Sequence, residues 1–386
     1  MKKKMLAIAT LAAVTGTAHA ADASSVPTLS QVLGASDINV SGYFDVAYNK
    51  MNSTGLFTNA NGTGPFVGGS SGNSHIFDTQ GAAKDKNFSS FNLHQAGLIV
   101  AKQPKEGFGG LVNLTAGQDA ATIASSGLGS NTTSHVFDLT QAYVSYAIGS
   151  LTVIGGKFAT LAGAELITSP SNTNYSRAWM FGWGPYTHTG VRATYTVNDV
   201  VTLVAGVNNG WDQVNSTTGS KTGEFSVVLT PSDMFSLATT YYSGKEVANS
   251  VGSRNYLDMV GTINATDKLN FVFDYANGKQ GNATVANGTT GTAKWNALAL
   301  YANYKFSDTW RVSYRHETFD DKDGYRSGLV QKLKSNTVTV GYAATKNMEL
   351  RGEARWDKST QNAFLQTDGT GKNSQNEIAV EAVYKF

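Results

Sequence analysis

The C-terminal stretch from Glu377 to Phe386 alternates with a period of two. Ile378, Val380, Ala382, Tyr384 and Phe386 fall on one side, and Glu377, Ala379, Glu381, Val383 and Lys385 on the other. Successive side chains of a β-strand point to opposite faces, so this strand has one apolar face and one wet face. Residues Met348 to Asp357 repeat the split: Met348, Leu350, Gly352, Ala354 and Trp356 oppose Glu349, Arg351, Glu353, Arg355 and Asp357. A water-soluble sandwich also alternates, but it does not usually end on a bare aromatic with four apolar partners behind it. In lipid every backbone N–H and C=O must be paired within the protein, so strands cross a bilayer only as a closed barrel.

Sixteen such runs occur, near residues 38–48, 91–102, 109–117, 137–147, 151–158, 189–197, 200–208, 223–230, 234–243, 255–265, 268–277, 294–306, 309–319, 335–344, 348–357 and 376–386. Their lengths cluster around the ~9–11 residues that a tilted strand needs to cross the membrane. The expected fold is all-β: a transmembrane antiparallel barrel of about sixteen strands. Its connections alternate in character. Asn198-Asp199, Pro231-Ser232-Asp233, Thr266-Asp267, Ser307-Asp308 and Lys346-Asn347 are tight turns that recur every 34 to 41 residues. Between them lie long polar stretches, above all Asn49 to Asn87, Gln118 to His135 and Lys358 to Ser374. Short turns on one rim and long loops on the other describe an outer-membrane barrel. An even strand count puts both termini on the short-turn side and lets the last strand pair with the first, leaving no open edge. All six prolines fall outside the sixteen runs, as a sheet without edges requires. Aromatic residues sit near strand ends, at Tyr43, Phe44, Tyr48, Tyr304, Phe306, Trp310, Trp356, Tyr384 and Phe386. Those pointing outward are expected to form interfacial girdles.

The chain opens on Lys2, Lys3 and Lys4, an apolar run to about Gly16, and Ala18-His19-Ala20. That is the pattern of a leader cleaved after Ala20. Residues 1–20 are read as this signal peptide, 21–37 as a periplasmic N-terminal segment and 38–386 as the barrel. Thr28 to Gln31 looks like a capping box opening one helical turn that stops at Gly34. Loss of the three lysines leaves twenty-seven basic against twenty-eight acidic side chains, a net charge of −1. No basic tract suggests nucleic acid, and the absence of cysteine excludes disulfides and thiolate metal sites.

One stretch breaks the strand series. Residues 159–188 carry only Glu165 and Arg177 as full charges, yet hold Tyr175, Trp179, Phe181, Trp183 and Tyr186. An exposed loop of this length is normally polar. We read it as a segment folded back inside the barrel that narrows a water-filled passage, with a greasy outer cap or a subunit contact as the alternatives. Glu165, Arg177, Trp179 and the neighbouring Arg192 are the candidate constriction residues. Charges on the strands belong inside, because Arg or Lys facing lipid at the midplane costs roughly 2–4 kcal/mol. The lumen wall then carries Asp258, Arg311, Arg315, Glu349, Arg351, Glu353 and Arg355, together with Glu224, Asp274, Lys305, Glu317, Glu377, Glu381 and Lys385. Basic wall side chains facing Glu165 would set up a transverse field; alternatively, the Glu349–Arg355 charges form a ladder that stiffens the wall. Lys157 is harder to place, because Gly155-Gly156 is a candidate bulge that would shift the register.

Enzyme signatures are sparse. The histidines show no metal-ligand spacing, so no metal or cofactor is expected. His316-Glu317 with Asp320 and Asp321 could mimic a barrel hydrolase site, and Asp320 to Gly324 resembles half a calcium loop without its full spacing.

At Gly156-Lys157-Phe158, Gly163-Ala164-Glu165, Asn174-Tyr175-Ser176-Arg177 and Pro185 to Arg192, the chain resembles the OmpL-like beta-barrel porin-2 family of Gram-negative outer membranes. This match covers about 35 residues, and weaker similarity, including Val40-Ser41-Gly42-Tyr43 and the aromatic C-terminus, spans the mature chain. Leu161 departs from the pattern where a proline is expected. The resemblance implies an outer-membrane porin for passive diffusion of small hydrophilic solutes and ions, with no catalytic residues, and by analogy a homotrimer. General porins also place their constricting loop between the fifth and sixth strands. A substrate-selective uptake channel using Trp179, Phe181, Trp183 and Tyr186 as a binding strip is the runner-up, ahead of a barrel hydrolase or a surface adhesin.

Overall fold

The computed structural model describes residues 33–53, 75, 88–127, 137–247, 252–365 and 370–386. The leader, the Thr28 to Gln31 capping box and most of the first long loop lie outside the described residues. The first eight strands are β1 (Asn39–Met51), β2 (Phe88–Lys102), β3 (Gly107–Ala116), β4 (Phe137–Ile148), β5 (Leu151–Ala159), β6 (Thr187–Thr196), β7 (Val201–Asn208) and β8 (Thr222–Ser232). Then follow β9 (Phe235–Gly244), β10 (Arg254–Asn264), β11 (Leu269–Thr284), β12 (Thr290–Lys305), β13 (Trp310–Asp321), β14 (Gln331–Thr345) and β15 (Met348–Ser359). A two-residue ladder of β16 (Phe364–Leu365) and β17 (Gly371–Lys372) precedes the final strand, β18 (Ser374–Lys385).

Sixteen of these strands close into one antiparallel barrel, in which β18 pairs with both β15 and β1. Phe386 and Gly42 exchange both backbone hydrogen bonds at 2.9 Å, and a Cβ on Gly42 would run into the Phe386 ring. The period-two faces separate as the sequence requires. On β18 and at Phe386 just beyond it, Ile378, Val380, Tyr384 and Phe386 are exposed, whereas Glu377, Ala379, Glu381 and Val383 are buried. Outward aromatics pair across strands near both rims: Phe108 with Tyr146, Trp310 with Tyr342, and Tyr48 with Phe91, with ring centroids 4.7, 4.6 and 4.9 Å apart. Tyr43 belongs instead to the buried face, where its hydroxyl donates to Gln95 at 2.8 Å.

The short turns are closed by their own side chains. Asn198 Oδ1 accepts the N–H groups of Val200 and Val201 at 2.9 Å. Thr266 and Ser307 do the same for the first residues of β11 and β13. This local bonding explains why Asn, Thr and Ser flanked by apolar residues mark these turns.

Several expectations needed correction. Pro231 falls inside β8, not outside the strands. The β8–β9 register breaks between Leu229 and Ser232, so its missing N–H removes no ladder bond. The irregularity anticipated at Gly155-Gly156 lies across the sheet: the β4–β5 register is unbroken, and the shift falls in β3–β4 between Asn113 and Leu114. Lys157 consequently points inward, 3.3 Å from Asp138. Lys305 and Lys385 are exposed rather than inward, because both sit where their strands leave the barrel. Strand β11 runs well past the expected end, through Gly278, Lys279 and Gln280, whose polarity leaves no apolar alternation to read.

Candidate functional site

Between β5 and β6 the chain runs through residues 160–186, containing a 3-10 turn at Ser169–Ser171 and a short helix at Trp179–Trp183. Pro170 opens the turn. Asn172 then holds the preceding bend, accepting from Leu166 N at 2.8 Å and donating to the Leu166 and Thr168 carbonyls. The segment is held by carboxylates on the buried faces of distant strands. Asp258 of β10 accepts Gly163 N at 2.8 Å, and Asp274 of β11 accepts Ala164 N at 2.7 Å. Glu353 of β15 takes the N–H groups of Tyr175 and Ser176 at 2.7 and 3.0 Å. Glu317 of β13 takes those of Trp179 and Met180, both at 2.7 Å, and so satisfies the first turn of the helix.

Cationic side chains complete the docking through carbonyls. Arg315 donates to Glu165 and to the Ser176 carbonyl, both at 2.6 Å. Arg355 donates to the Arg177 carbonyl at 2.9 Å, and Arg311 to that of Thr173 at 2.7 Å. The remaining valences of the wall form a charge ladder: Arg311 meets Glu349 at 2.6 Å, Glu349 meets Arg351 at 2.8 Å, and Arg351 meets Glu381 at 3.0 Å. Arg355 meets Asp357 at 2.9 Å. Glu349, Arg351 and Arg355 thus pair along the wall as the ladder reading has it, while Arg311, Arg315, Glu317, Glu353 and Arg355 also hold the segment, a part that the sequence did not suggest. Every charge of the ladder has an opposite charge within reach, as burial of a charge requires.

Tyr175, Trp179, Trp183 and Tyr186 are buried in packing, whereas Phe181 is only partly buried and lines a small cavity with Met180, Tyr256 and Tyr301. Trp179 stacks on Trp183 with centroids 5.7 Å apart, and Trp183 meets Phe319 at 4.3 Å. The Arg355 guanidinium lies 4.6 Å over the Trp179 ring. At the far end, Asp212 in the β7–β8 connection accepts Tyr186 N and Thr187 N at 2.9 and 2.8 Å. Burial pushes the Asp212 carboxyl up to about 7, and the two N–H groups offset only part of that shift.

Of the four residues singled out for a constriction, Glu165, Arg177 and Trp179 are brought together with Arg315, Glu353 and Arg355. Arg177 is spent on its own segment, donating to the Tyr175 carbonyl at 3.0 Å. Arg192 stands apart. It pairs with Glu224, with Nη2 to Oε2 at 2.9 Å, and lies 4.2 Å over the Phe158 ring. His316 and Glu317 point to opposite faces of β13, and Glu317 is occupied by the helix. Asp321 accepts the N–H groups of Tyr325, Arg326 and Ser327, which makes Asp320 to Gly324 the start of a tied turn. His75, His94 and Asp119, which no local motif links, also meet in the fold.

A closed sixteen-strand barrel with an apolar outer belt and a charged inner face defines a transmembrane β-barrel of the porin class. The profile of the beta-barrel porin-2, OmpL-like family matches residues 37–386, and the chain belongs to this family. Among solved structures it is similar to the outer membrane channel DcaP of Acinetobacter baumannii, at 14% identity and TM-score 0.59, covering 90% of this chain and 97% of that one. The anion-selective porin from Comamonas acidovorans matches at 13% identity and TM-score 0.60, covering 90% and 99%. OmpT of Vibrio cholerae matches at 11% and 0.57, covering 90% and 97%. At these identities the likeness is one of fold. No curated protein matches by sequence.

Proposed function

We propose that this outer-membrane porin forms a water-filled channel for passive diffusion of small hydrophilic solutes and ions, narrowed by residues 159–188. The observation that carries this reading is the docking of that segment on buried faces of β10, β11, β13 and β15, strands distant in the sheet from β5 and β6, where it begins and ends. Barrels of sixteen strands keep an aqueous bore, and a segment tied across it sets the aperture. Glu165, Arg177 and Trp179 stand at this narrowing, with Arg192 on the wall beyond. The stacking of Trp179 on Trp183, and of Trp183 against Phe319, argues against an open aromatic strip, and so favours general diffusion over selective uptake. Catalysis forms no part of the reading. Export through a leader cleaved after Ala20 delivers the chain to the outer membrane. Assembly as a homotrimer follows the analogy of Vibrio cholerae OmpT, for which a trimer form is described.

Planar-bilayer recording in a salt gradient tests the proposal, because conductance reports the bore and reversal potential the charge preference. Excision of residues 161–183 should raise conductance. Absence of channels in the intact protein, or equal conductance after excision, overturns it.

A further inference from the structure

Three side chains from separate parts of the chain converge on the buried face of the barrel. His75 lies in the β1–β2 connection, His94 on β2, and Asp119 in the first turn of a short helix, Gln118–Ile123. All three are fully buried. His75 Nδ1 is 2.7 Å from Asp119 Oδ2, and His94 Nδ1 is 3.8 Å from Asp119 Oδ1. The donor atoms of the three residues fall within 4.8 Å of one another.

The outer nitrogens are held as well. His75 Nε2 lies 3.2 Å from both Glu381 and Asp45, and His94 Nε2 lies 3.0 Å from the Tyr175 hydroxyl. Metal-binding histidines carry this arrangement: one nitrogen faces the ion, and the other gives its N–H to an oxygen that fixes the ring. A second observation points to a ligand. His94 Nδ1 is buried, faces Asp119 and has no hydrogen-bond partner among the described residues.

We propose that His75, His94 and Asp119 bind one divalent transition-metal ion of the zinc, nickel or cobalt type. Two imidazoles and a carboxylate suit these ions, whereas calcium and magnesium require oxygen shells. On binding, the proton shared between His75 and Asp119 leaves to solvent. The His75 Nδ1 lone pair and an Asp119 oxygen then bind the ion, and His94 Nδ1 supplies the third bond. Asp119, Asp45 and Glu381 offset the added charge. The site also touches the docked segment, since the His75 carbonyl accepts Arg177 N at 2.8 Å. A bound ion therefore ties the β1–β2 connection, β2 and residues 159–188 together. The inference stands whether or not the channel conducts.

Untagged, chelator-treated full-length protein in detergent should take up one equivalent of Co2+, giving visible ligand-field bands that Zn2+ abolishes. X-ray absorption of the Zn2+ form should report two imidazoles in the first shell. His94→Gln keeps an amide for the Tyr175 hydroxyl but removes Nδ1, and should abolish the one-equivalent uptake. Tyr175→Phe, which leaves all three ligands in place, should weaken it by about 10–100-fold. No uptake by the native protein, an all-oxygen shell, or equal affinity in folded His94→Gln overturns the proposal; the spectroscopy on native protein decides the matter even if a variant fails to fold.

Discussion

Arg315 and Glu165 meet at 2.6 Å although 150 residues of chain separate them, and both are buried. This pair joins the barrel wall to the segment between β5 and β6. Removing one partner strands the other charge. Arg315→Met is expected to destabilise the folded barrel by about 3–5 kcal/mol. The double replacement Arg315→Met with Glu165→Leu should recover most of that loss. Thermal unfolding in detergent measures both, and an Arg315→Met protein as stable as the native one contradicts the docking role.

Glu317 holds two backbone N–H groups of the Trp179–Trp183 helix. Glu317→Ala leaves both without an acceptor, each at about 1–3 kcal/mol. The helix should loosen before the barrel does. Single-channel recordings should show added current noise, and limited proteolysis should nick faster near residue 180; silence in both assays removes Glu317 from this role.

Asp212 gives the β7–β8 connection a pH dependence. Its folded value of about 7 lies above the ordinary carboxyl value of 3.8, so the protonated carboxyl is favoured in the folded protein. This contribution to stability is complete below 3.8 and is lost as pH rises toward 7. The unfolding midpoint of native protein should fall over that window relative to Asp212→Asn. Parallel curves for the two proteins overturn the assignment.

Val191 lies mid-strand on the outward face, 54% exposed. Val191→Arg places a charge in hydrocarbon and should cost about 2–4 kcal/mol. The measurement is reversible unfolding in lipid vesicles, in which a neutral outcome argues that this face does not meet lipid.

The strand count was legible because the bilayer imposes the same alternation on every strand. The inward placement of Arg315, Glu317, Glu353 and Arg355 followed directly. The partners of these residues were not legible. Nothing in the spacing ties Glu353 to the Tyr175 N–H, because carboxylates hold backbone groups that every residue shares. The unusual apolarity of residues 159–188 marked them as special without saying what they touch. The cluster of His75, His94 and Asp119 left no local trace, since its members sit on two connections and one strand. Polar tracts misled in the other direction: Gly278 to Thr284 extends β11 with no apolar rhythm to announce it.

The junction of Phe386 with Gly42 has a bearing on how the molecule is made. The ribosome delivers β1 long before β18, so the seam cannot be sewn until β18 has been made. Every intermediate carries two raw sheet margins, each able to recruit a stray chain. Phe386 is thus the stitch on which the whole cylinder waits. Clipping it should leave a long-lived open form that escorts must shield on its way to the membrane.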